Sequence, residues 1–297
     1  MKGFFSGLAT AMITPFRRDG GVNYEAFGRM IEYQIAGGAD MLVVLGTTGE
    51  PATMSGKEKE SVMRYTVEKV AGRVKVVFGS GSYNTAKAVE DSKKAESFGA
   101  DGLLVVTPYY NKCTQNGVYE YYKAVNDAVH IPIICYNVPA RTGVNILPAT
   151  MERIAMLPNI AGVKEACGNM EQICETARRV RNLCDLYSGD DNLNIPMLAI
   201  GSSGLISVAS NVAPRLVRET YELMQAGEIA KANAVQDRLL PFIDACFYEV
   251  NPIPVKAAMN MLGFDAGIPR APLTELEDVH KEEMRKALLS LGLEVQV

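Results

Sequence analysis

Two side chains suited to covalent catalysis stand at the ends of successive apolar runs. Lys164 closes the run 160–164, and Tyr136 closes the run 132–136. A lysine withdrawn from water loses affinity for its proton and supplies the neutral amine that attacks a carbonyl carbon. A phenol beside it can carry protons while the resulting adduct loses water. Gly162, on the strand face that carries Lys164, predicts room for the amine to bend inward; the alternative is a strand-end lysine that reaches solvent.

Other side chains near strand ends could hold carboxylates. Thr47 and Thr48 lie between Gly46 and Gly49, where two hydroxyls and open backbone N–H groups suit an anion. The same residues also fit a turn that caps the following helix, and this alternative stays open. Arg141 follows the run that holds the candidate phenol, and its planar guanidinium suits a carboxylate, although an arginine in a loop often faces solvent alone.

The composition argues against several other kinds of chemistry. The chain has two histidines, His130 and His280, and neither has a second histidine or a cysteine close to it in sequence. A Ser-His-Asp hydrolase or a histidine-bound metal site is therefore hard to build. The adjacent Asp190 and Asp191 are expected to cap a helix rather than to bind a metal. We predict an enzyme that uses neither a metal nor a cofactor.

The charge and hydropathy patterns argue against two classes of partner. The net charge is −4 with both signs interspersed, so no basic face is expected for nucleic acid. No apolar run approaches the ~20 residues that a membrane-spanning helix needs. The first residues lack the apolar core and cleavage site of a signal peptide, and we predict a cytoplasmic protein without membrane contact.

A repeated strand–helix pattern supplies the scaffold that these residues need. Short apolar runs recur along the chain, followed by amphipathic segments such as 24–36, 57–70 and 85–98. Several runs are apolar throughout, as expected for parallel strands covered on both faces. The predicted strands are 7–14, 41–45, 74–79, 102–107, 132–136, 160–164, 186–188 and 204–209. Eight such units predict an α/β fold, a closed (β/α)8 TIM barrel with its active site at the carboxyl ends of the strands; a doubly wound sheet is the alternative.

The strand pattern stops near residue 228, and helical patterns follow. Three helices are predicted over 228–247, 254–262 and 274–291, the last opening with a capping box at Thr274 to Glu277. We interpret residues 228–297 as a C-terminal helical region packed on a catalytic barrel of residues 1–227.

Together, these motifs resemble the dihydrodipicolinate synthase family of pyruvate-dependent Schiff-base aldolases. The resemblance extends over nearly the whole chain, including the helical tail. The runs that carry it are Gly46-Thr47-Thr48-Gly49-Glu50, Thr107-Pro108-Tyr109-Tyr110-Asn111, Tyr136-Asn137-Val138-Pro139-Ala140-Arg141-Thr142-Gly143, Gly162-Val163-Lys164-Glu165 and Asn251-Pro252-Ile253-Pro254-Val255-Lys256. It implies a lyase that condenses pyruvate with L-aspartate 4-semialdehyde to 4-hydroxy-tetrahydrodipicolinate, in diaminopimelate and lysine biosynthesis.

The resemblance also implies a role for each matched residue. Lys164 would form the Schiff base, Tyr136 would act as acid and base, and Thr47 would join Tyr110 of a neighbouring subunit in a hydroxyl relay. Thr48 would hold the pyruvate carboxylate. The remaining implied contacts are Arg141 to the semialdehyde carboxylate, and Gly189 and Ile206 to the site through their backbones. Members of the family are usually homotetramers built as dimers of dimers.

Two other functions and one regulatory question follow from the same motifs. The sister branches, N-acetylneuraminate lyase and 2-keto-3-deoxy-sugar acid aldolases, commonly have Ser in place of Thr47 and lack Arg141, so both residues favour the synthase. A barrel without catalysis has no physical need for this set of side chains. In lysine-inhibited relatives a His, an Asn and a Glu hold the inhibitor, where this chain has Gly56, Tyr83 and Lys87. We therefore predict weak or absent inhibition by lysine.

Overall fold

The computed structural model describes residues 2–296, and eight parallel strands form a closed barrel in the order β1 to β8. The strands are β1 (Gly7–Ala11), β2 (Met41–Val44), β3 (Lys75–Gly79), β4 (Gly102–Val106), β5 (Ile133–Asn137), β6 (Ile160–Glu165), β7 (Asp185–Ser188) and β8 (Gly204–Ser207). The helices are α1 (Tyr24–Ala36), α2 (Gly56–Val70), α3 (Thr85–Ser97), α4 (Gln115–Asn126), α5 (Pro139–Thr142), α6 (Pro148–Ala155), α7 (Met170–Val180), α8 (Asn194–Ala199), α9 (Pro214–Gln225), α10 (Ile229–Ala245), α11 (Ile253–Met261) and α12 (Asp278–Ser290). The predicted (β/α)8 barrel with helices at its C-terminus is confirmed.

The described chain divides into two compact units. Residues 2–7 and 75–206 form the first, which contains β3 to β7 and most of β8. Residues 8–74 and 207–296 form the second, which contains β2, most of β1 and the helices α1, α2 and α9 to α12. The domain boundary predicted between residues 227 and 228 falls in the turn between α9 and α10 and stays a prediction; residues 1 and 297 of those domains lie outside the described residues.

Strands β2 and β8 are shorter than the apolar runs predicted, because the backbone turns before the hydrophobic pattern ends. β2 stops at Val44, since Leu45 has a left-handed backbone with φ 58°. β8 stops at Ser207, since Val208 is already in the right-handed helical region. These early turns release the residues that follow β2 and β8 into loops, where their side chains can face a ligand.

Local caps explain several helix starts. Ser55 accepts a hydrogen bond from the backbone N–H of Glu58, and the Glu58 carboxylate accepts one from the Ser55 N–H, so a reciprocal capping box opens α2. Asn84 caps α3 in the same general way through its side-chain oxygen. The helices predicted at 57–70 and 85–98 therefore begin within a residue of their predicted starts.

The capping box predicted at Thr274 is wrong, because α12 begins four residues later, at Asp278. Leu276 is buried, and residues 274–277 lie outside any helix. The Glu249 carboxylate accepts the backbone N–H of Glu277 at 2.9 Å and contacts Nδ1 of His280 at 2.7 Å. Glu249, Glu277 and His280 each offer an atom that could bind a metal, and these atoms lie within 4.8 Å of one another. We assign this cluster to capping of α12.

Among residues 2–296, the helices are all too short or too polar to cross a bilayer.

Candidate active site

Lys164 and Tyr136 are direct neighbours in the barrel. Strands β5 and β6 run parallel, and their register pairs Tyr136 with Lys164. Paired residues of parallel strands project to the same side of the sheet, so both side chains reach one space. The Nζ atom of Lys164 lies 4.4 Å from the centroid of the Tyr136 ring. Lys164 is 4% exposed and Tyr136 is 7% exposed, so the amine and the phenol share a site nearly free of bulk water.

Burial moves the pKa values of this pair in opposite directions. Loss of hydration disfavours the charged ammonium and lowers the pKa of Lys164 from 10.5 to about 8. The same effect disfavours a phenolate and raises the pKa of Tyr136 to about 12. The site thus contains an amine that loses its proton near neutral pH, beside a phenol that keeps its own. This is the combination that carbonyl attack and proton transfer require.

Three charged side chains around the pair adjust the pKa of the amine further. After burial, the negative charge of Asp191 has the largest effect and raises the pKa of Lys164. Arg141 lowers it and Asp190 raises it. Arg141 lies on the short helix α5 and also lowers the pKa of Tyr136, which places its charge close enough to affect both groups. Asp190 accepts the backbone N–H of Asn192 and caps a short helical turn, as predicted.

The glycine that leaves room for Lys164 is Gly189, and the prediction that Gly162 does so is wrong. A Cβ atom added at Gly189 would lie 2.8 Å from Cε of Lys164 and 2.9 Å from its Cγ. A Cβ added at Gly162 would instead lie 2.5 Å from the ring of Tyr187, which fills that space. The register of β6 shifts by one residue between Ile160 and Gly162, whereas Gly162 and Lys164 keep the regular alternation.

A buried polar network joins the ends of β5 and β6 just beyond the pair. The Asn137 amide donates to both carboxylate oxygens of Glu165 at 3.0 and 3.1 Å, and the Cys167 N–H donates to Glu165 at 2.9 Å. Asn137 also donates to Asn145 at 2.9 Å. Burial raises the pKa of Glu165, and these donors oppose that change. The network fixes the strand ends that present Tyr136 and Lys164.

Thr47 and Thr48 lie in the second unit, on a short helical turn that directly follows β2. Thr48 is 4% exposed, and its hydroxyl accepts a hydrogen bond from the Asn251 amide at 3.0 Å. Thr47 is partly exposed. Glu50, at the end of this turn, has a left-handed backbone with φ 55° and forms a buried ion pair with Lys256 at 2.6 Å. The turn is therefore held by side chains of the C-terminal region, from Asn251 just before α11 and from Lys256 on α11.

The other predicted site residues differ in their surroundings. Tyr110 follows β4 in a left-handed conformation with φ 70°, and its side chain is 92% exposed. Ile206 lies on β8 and is 1% exposed, while Gly189 follows β7 and donates its N–H to the Glu165 carbonyl at 2.8 Å. The first unit brings Lys164, Tyr136, Arg141 and Gly189 together, and Tyr110 faces outward from that unit.

Sequence reasoning missed three contributors to the site. Asp191 was given only a capping role, although its charge acts on Lys164. Glu165 and Asn251 were quoted within motifs but received no role. Glu165 adjoins Lys164 in sequence, which was a usable signal. The contact of Asn251 with Thr48 spans 203 residues, and no local pattern announces it.

A buried amine and a phenol at the carboxyl ends of barrel strands are features of Schiff-base enzymes of the (β/α)8 class. The Dihydrodipicolinate synthetase family model matches residues 4–291, so the chain belongs to that family. The predicted family and the predicted enzyme class, a lyase, are confirmed.

Individual relatives agree with this family and favour the synthase over the sister aldolases. The 4-hydroxy-tetrahydrodipicolinate synthase of Caldicellulosiruptor bescii is 49% identical over 98% of this chain and 99% of that protein. The solved dihydrodipicolinate synthase of Aquifex aeolicus is 42% identical with a TM-score of 0.96, covering 99% of this chain and 100% of that one. A solved monomeric dihydrodipicolinate synthase variant is 41% identical with a TM-score of 0.95, covering 98% of each chain.

Proposed function

We propose that this protein condenses pyruvate with L-aspartate 4-semialdehyde through an imine on Lys164, giving 4-hydroxy-tetrahydrodipicolinate for lysine and diaminopimelate biosynthesis. The observation that carries the proposal is the position of Lys164, whose buried Nζ lies 4.4 Å from the Tyr136 ring centroid. Its pKa of about 8 leaves roughly one amine in ten unprotonated at pH 7. That fraction is sufficient for attack on a carbonyl carbon.

The proposed reaction requires only proton transfers and carbon chemistry. Lys164 adds to the carbonyl carbon of pyruvate, and the carbinolamine loses water to form the imine. Loss of a methyl proton gives an enamine, whose carbon attacks the aldehyde carbon of the second substrate. The amino group of that substrate then displaces Lys164, which closes the ring and restores the free amine. Tyr136, protonated at rest, donates its proton as the carbinolamine loses water and recovers a proton from the next intermediate.

The remaining predicted residues complete the proposal. Thr48 holds the pyruvate carboxylate and Arg141 holds the carboxylate of the semialdehyde. Thr47 and Tyr110 relay protons to Tyr136, with Tyr110 supplied by a neighbouring subunit. Its 92% exposure and left-handed backbone support a role outside its own chain, because an aromatic ring exposed to solvent contributes little to the stability of the subunit that carries it. Gly189 and Ile206 line the site through their backbones.

We further propose a homotetramer, arranged as a dimer of dimers, as the working form. A cytoplasmic location remains a prediction from the sequence. Neither a metal nor a cofactor takes part in the proposed chemistry.

Borohydride reduction in the presence of pyruvate tests the mechanism. We expect one reduced adduct, on the peptide that contains Lys164, and none in a Lys164→Ala control. Consumption of aspartate semialdehyde with pyruvate, measured beside cleavage of sialic acid and of keto-deoxy-gluconate, tests the substrates. An adduct on another lysine would overturn the mechanism, and faster cleavage of either sugar acid would overturn the assigned substrates.

A further inference from the structure

Two buried polar contacts join one segment of the C-terminal region to the turn that carries Thr48. The Asn251 amide donates to the Thr48 hydroxyl at 3.0 Å, and the two residues are 5% and 4% exposed. Five residues further along, the Lys256 ammonium lies 2.6 Å from the Glu50 carboxylate, and both side chains are at most 2% exposed. The second contact lies beyond Gly49, so the turn is held on both sides of that glycine.

The direction of the first hydrogen bond matters for binding. A threonine hydroxyl has one proton to donate and two lone pairs that accept. Because the hydroxyl of Thr48 accepts from the Asn251 amide, its own proton points elsewhere and is available to another acceptor. A carboxylate is an acceptor only, and it forms its stronger hydrogen bonds with donors that are already oriented.

We propose that Asn251 is a positioning residue for substrate binding: its amide orients the Thr48 hydroxyl so that the hydroxyl donates to the carboxylate of a 2-oxo acid. This inference rests on the proposed function, in which Thr48 holds the carboxylate of pyruvate. The Lys256–Glu50 pair holds the same turn at the residue after Gly49. The hydroxyl of Thr14 donates to the Gly49 carbonyl at 2.8 Å. The C-terminal region thereby takes part in recognition of the first substrate.

Asn251→Asp is the sharpest test, because it keeps the shape of the side chain and reverses the hydrogen bond. The new carboxylate accepts the proton of the Thr48 hydroxyl, which can then no longer donate to the substrate. We expect the pyruvate concentration that half-saturates borohydride trapping to rise about ten- to a hundredfold, the range for a hydrogen bond to a charged group. The adduct yield at saturating pyruvate should stay close to that of the wild type, since Lys164 is untouched.

Asn251→Ala removes the amide without adding a charge and covers the case in which Asn251→Asp does not fold. The Thr48 hydroxyl is then free to rotate but can still donate, so we expect a smaller rise of about three- to tenfold. The matched control is Asn233→Asp, an exposed position on α10, which should leave half-saturation unchanged. Thermal unfolding of each variant separates folding from binding.

A double-mutant cycle with Thr48→Val shows whether Asn251 acts through Thr48. In the Thr48→Val background, Asn251→Asp should change half-saturation by less than about twofold, because the hydroxyl it redirects is absent. Effects that multiply independently would overturn the positioning role, as would unchanged half-saturation in both folded Asn251 variants. Failure of the wild type to form any adduct with pyruvate would instead overturn the proposed function, and this inference with it.

Discussion

The proposed reactivity of Lys164 rests on lost hydration, and this makes the proposed chemistry depend on pH. Burial lowers the pKa of Lys164 to about 8, and only the unprotonated amine attacks pyruvate. The rate of imine formation at low pyruvate should therefore rise about tenfold per pH unit below 8 and level off above it. Tyr136, with a pKa of about 12, adds no downturn in the accessible range. Stopped-flow or quench trapping over pH 6 to 10 measures this profile.

A variant that removes the charge of Asp191 tests whether the inflection in the pH profile of imine formation belongs to Lys164. The negative charge of Asp191 raises the pKa of Lys164, so Asp191→Asn should move the inflection to lower pH. A wild-type profile that still rises steeply at pH 9.5 would show that Lys164 is as well hydrated as an ordinary lysine.

Replacing Arg141 should impair binding of aspartate semialdehyde and leave the reaction with pyruvate nearly unchanged. We expect Arg141→Ala to raise the KM for aspartate semialdehyde about ten- to a hundredfold, because a charged, two-point contact with its carboxylate is lost. Trapping with pyruvate should remain close to that of the wild type. The comparison belongs above pH 9, because Arg141 also lowers the pKa of Lys164. Arg141→Lys retains the charge without the paired geometry and should be intermediate; loss of trapping in Arg141→Ala would mean that Arg141 binds pyruvate.

At the scale of elements, a buried ion pair between Lys256 and Glu50 connects α11 to the turn after β2. Lys256 contacts Glu50 at 2.6 Å and lies 4.0 Å from the centroid of the Phe16 ring, while the backbone N–H of Arg270 donates to Glu50 at 2.9 Å. Breaking such a pair leaves one buried charge alone. Replacing both partners together leaves no unpaired charge in the interior.

We expect Lys256→Met to lower the free energy of unfolding by about 3–5 kcal/mol, because the Glu50 carboxylate remains buried without its partner. Adding Glu50→Gln should recover most of that loss, since the amide oxygen still accepts from Arg270. Chemical denaturation of the two single variants and the double variant measures the coupling. A double variant that loses the sum of both single effects would show that the charges do not act as a pair.

At the scale of the whole molecule, the proposed role of Tyr110 would link catalysis to assembly. Tyr110→Phe should reduce turnover at least about tenfold without changing the fold, because the proposed relay loses its hydroxyl. Dilution of the wild type until it dissociates should reduce activity in parallel, measured by sedimentation velocity beside the assay. Tyr248→Phe, at another exposed tyrosine, is the control. A fully active monomer would contradict the shared site, and a solved relative described as a monomeric variant makes this outcome a practical comparison.

Lysine should inhibit the protein weakly or not at all. Lys87 pairs with Asp91 and lies 3.5 Å from Glu90, so the acidic groups nearest to it are already engaged. Tyr83, which stands where the sequence comparison places the Asn of lysine-inhibited relatives, meets Tyr109 edge to face with ring centroids 5.5 Å apart. A second ammonium near Lys87 is repelled. Titration of L-lysine into the assay should give half-inhibition above about a millimolar; Lys87→Glu tests whether this charge is the barrier.

The sequence by itself predicted the barrel and the proximity of Lys164 and Tyr136. Eight apolar runs alternating with amphipathic segments predicted the fold. Burial on both faces requires apolar residues along the whole of each strand, and such a run is visible in the local sequence. Lys164 and Tyr136 were also visible, since each closes such a run and the carboxyl ends of barrel strands meet at one face.

Only the tertiary structure decided which residues surround that pair. Gly189 rather than Gly162 makes room for Lys164, because the ring of Tyr187 fills the space beside Gly162. The start of α12 likewise depends on Glu249, a residue far outside the local cap. The contact of Asn251 with Thr48 joins positions 203 residues apart. Such clearances and long-range hydrogen bonds arise from how distant segments pack, and no short sequence pattern encodes them.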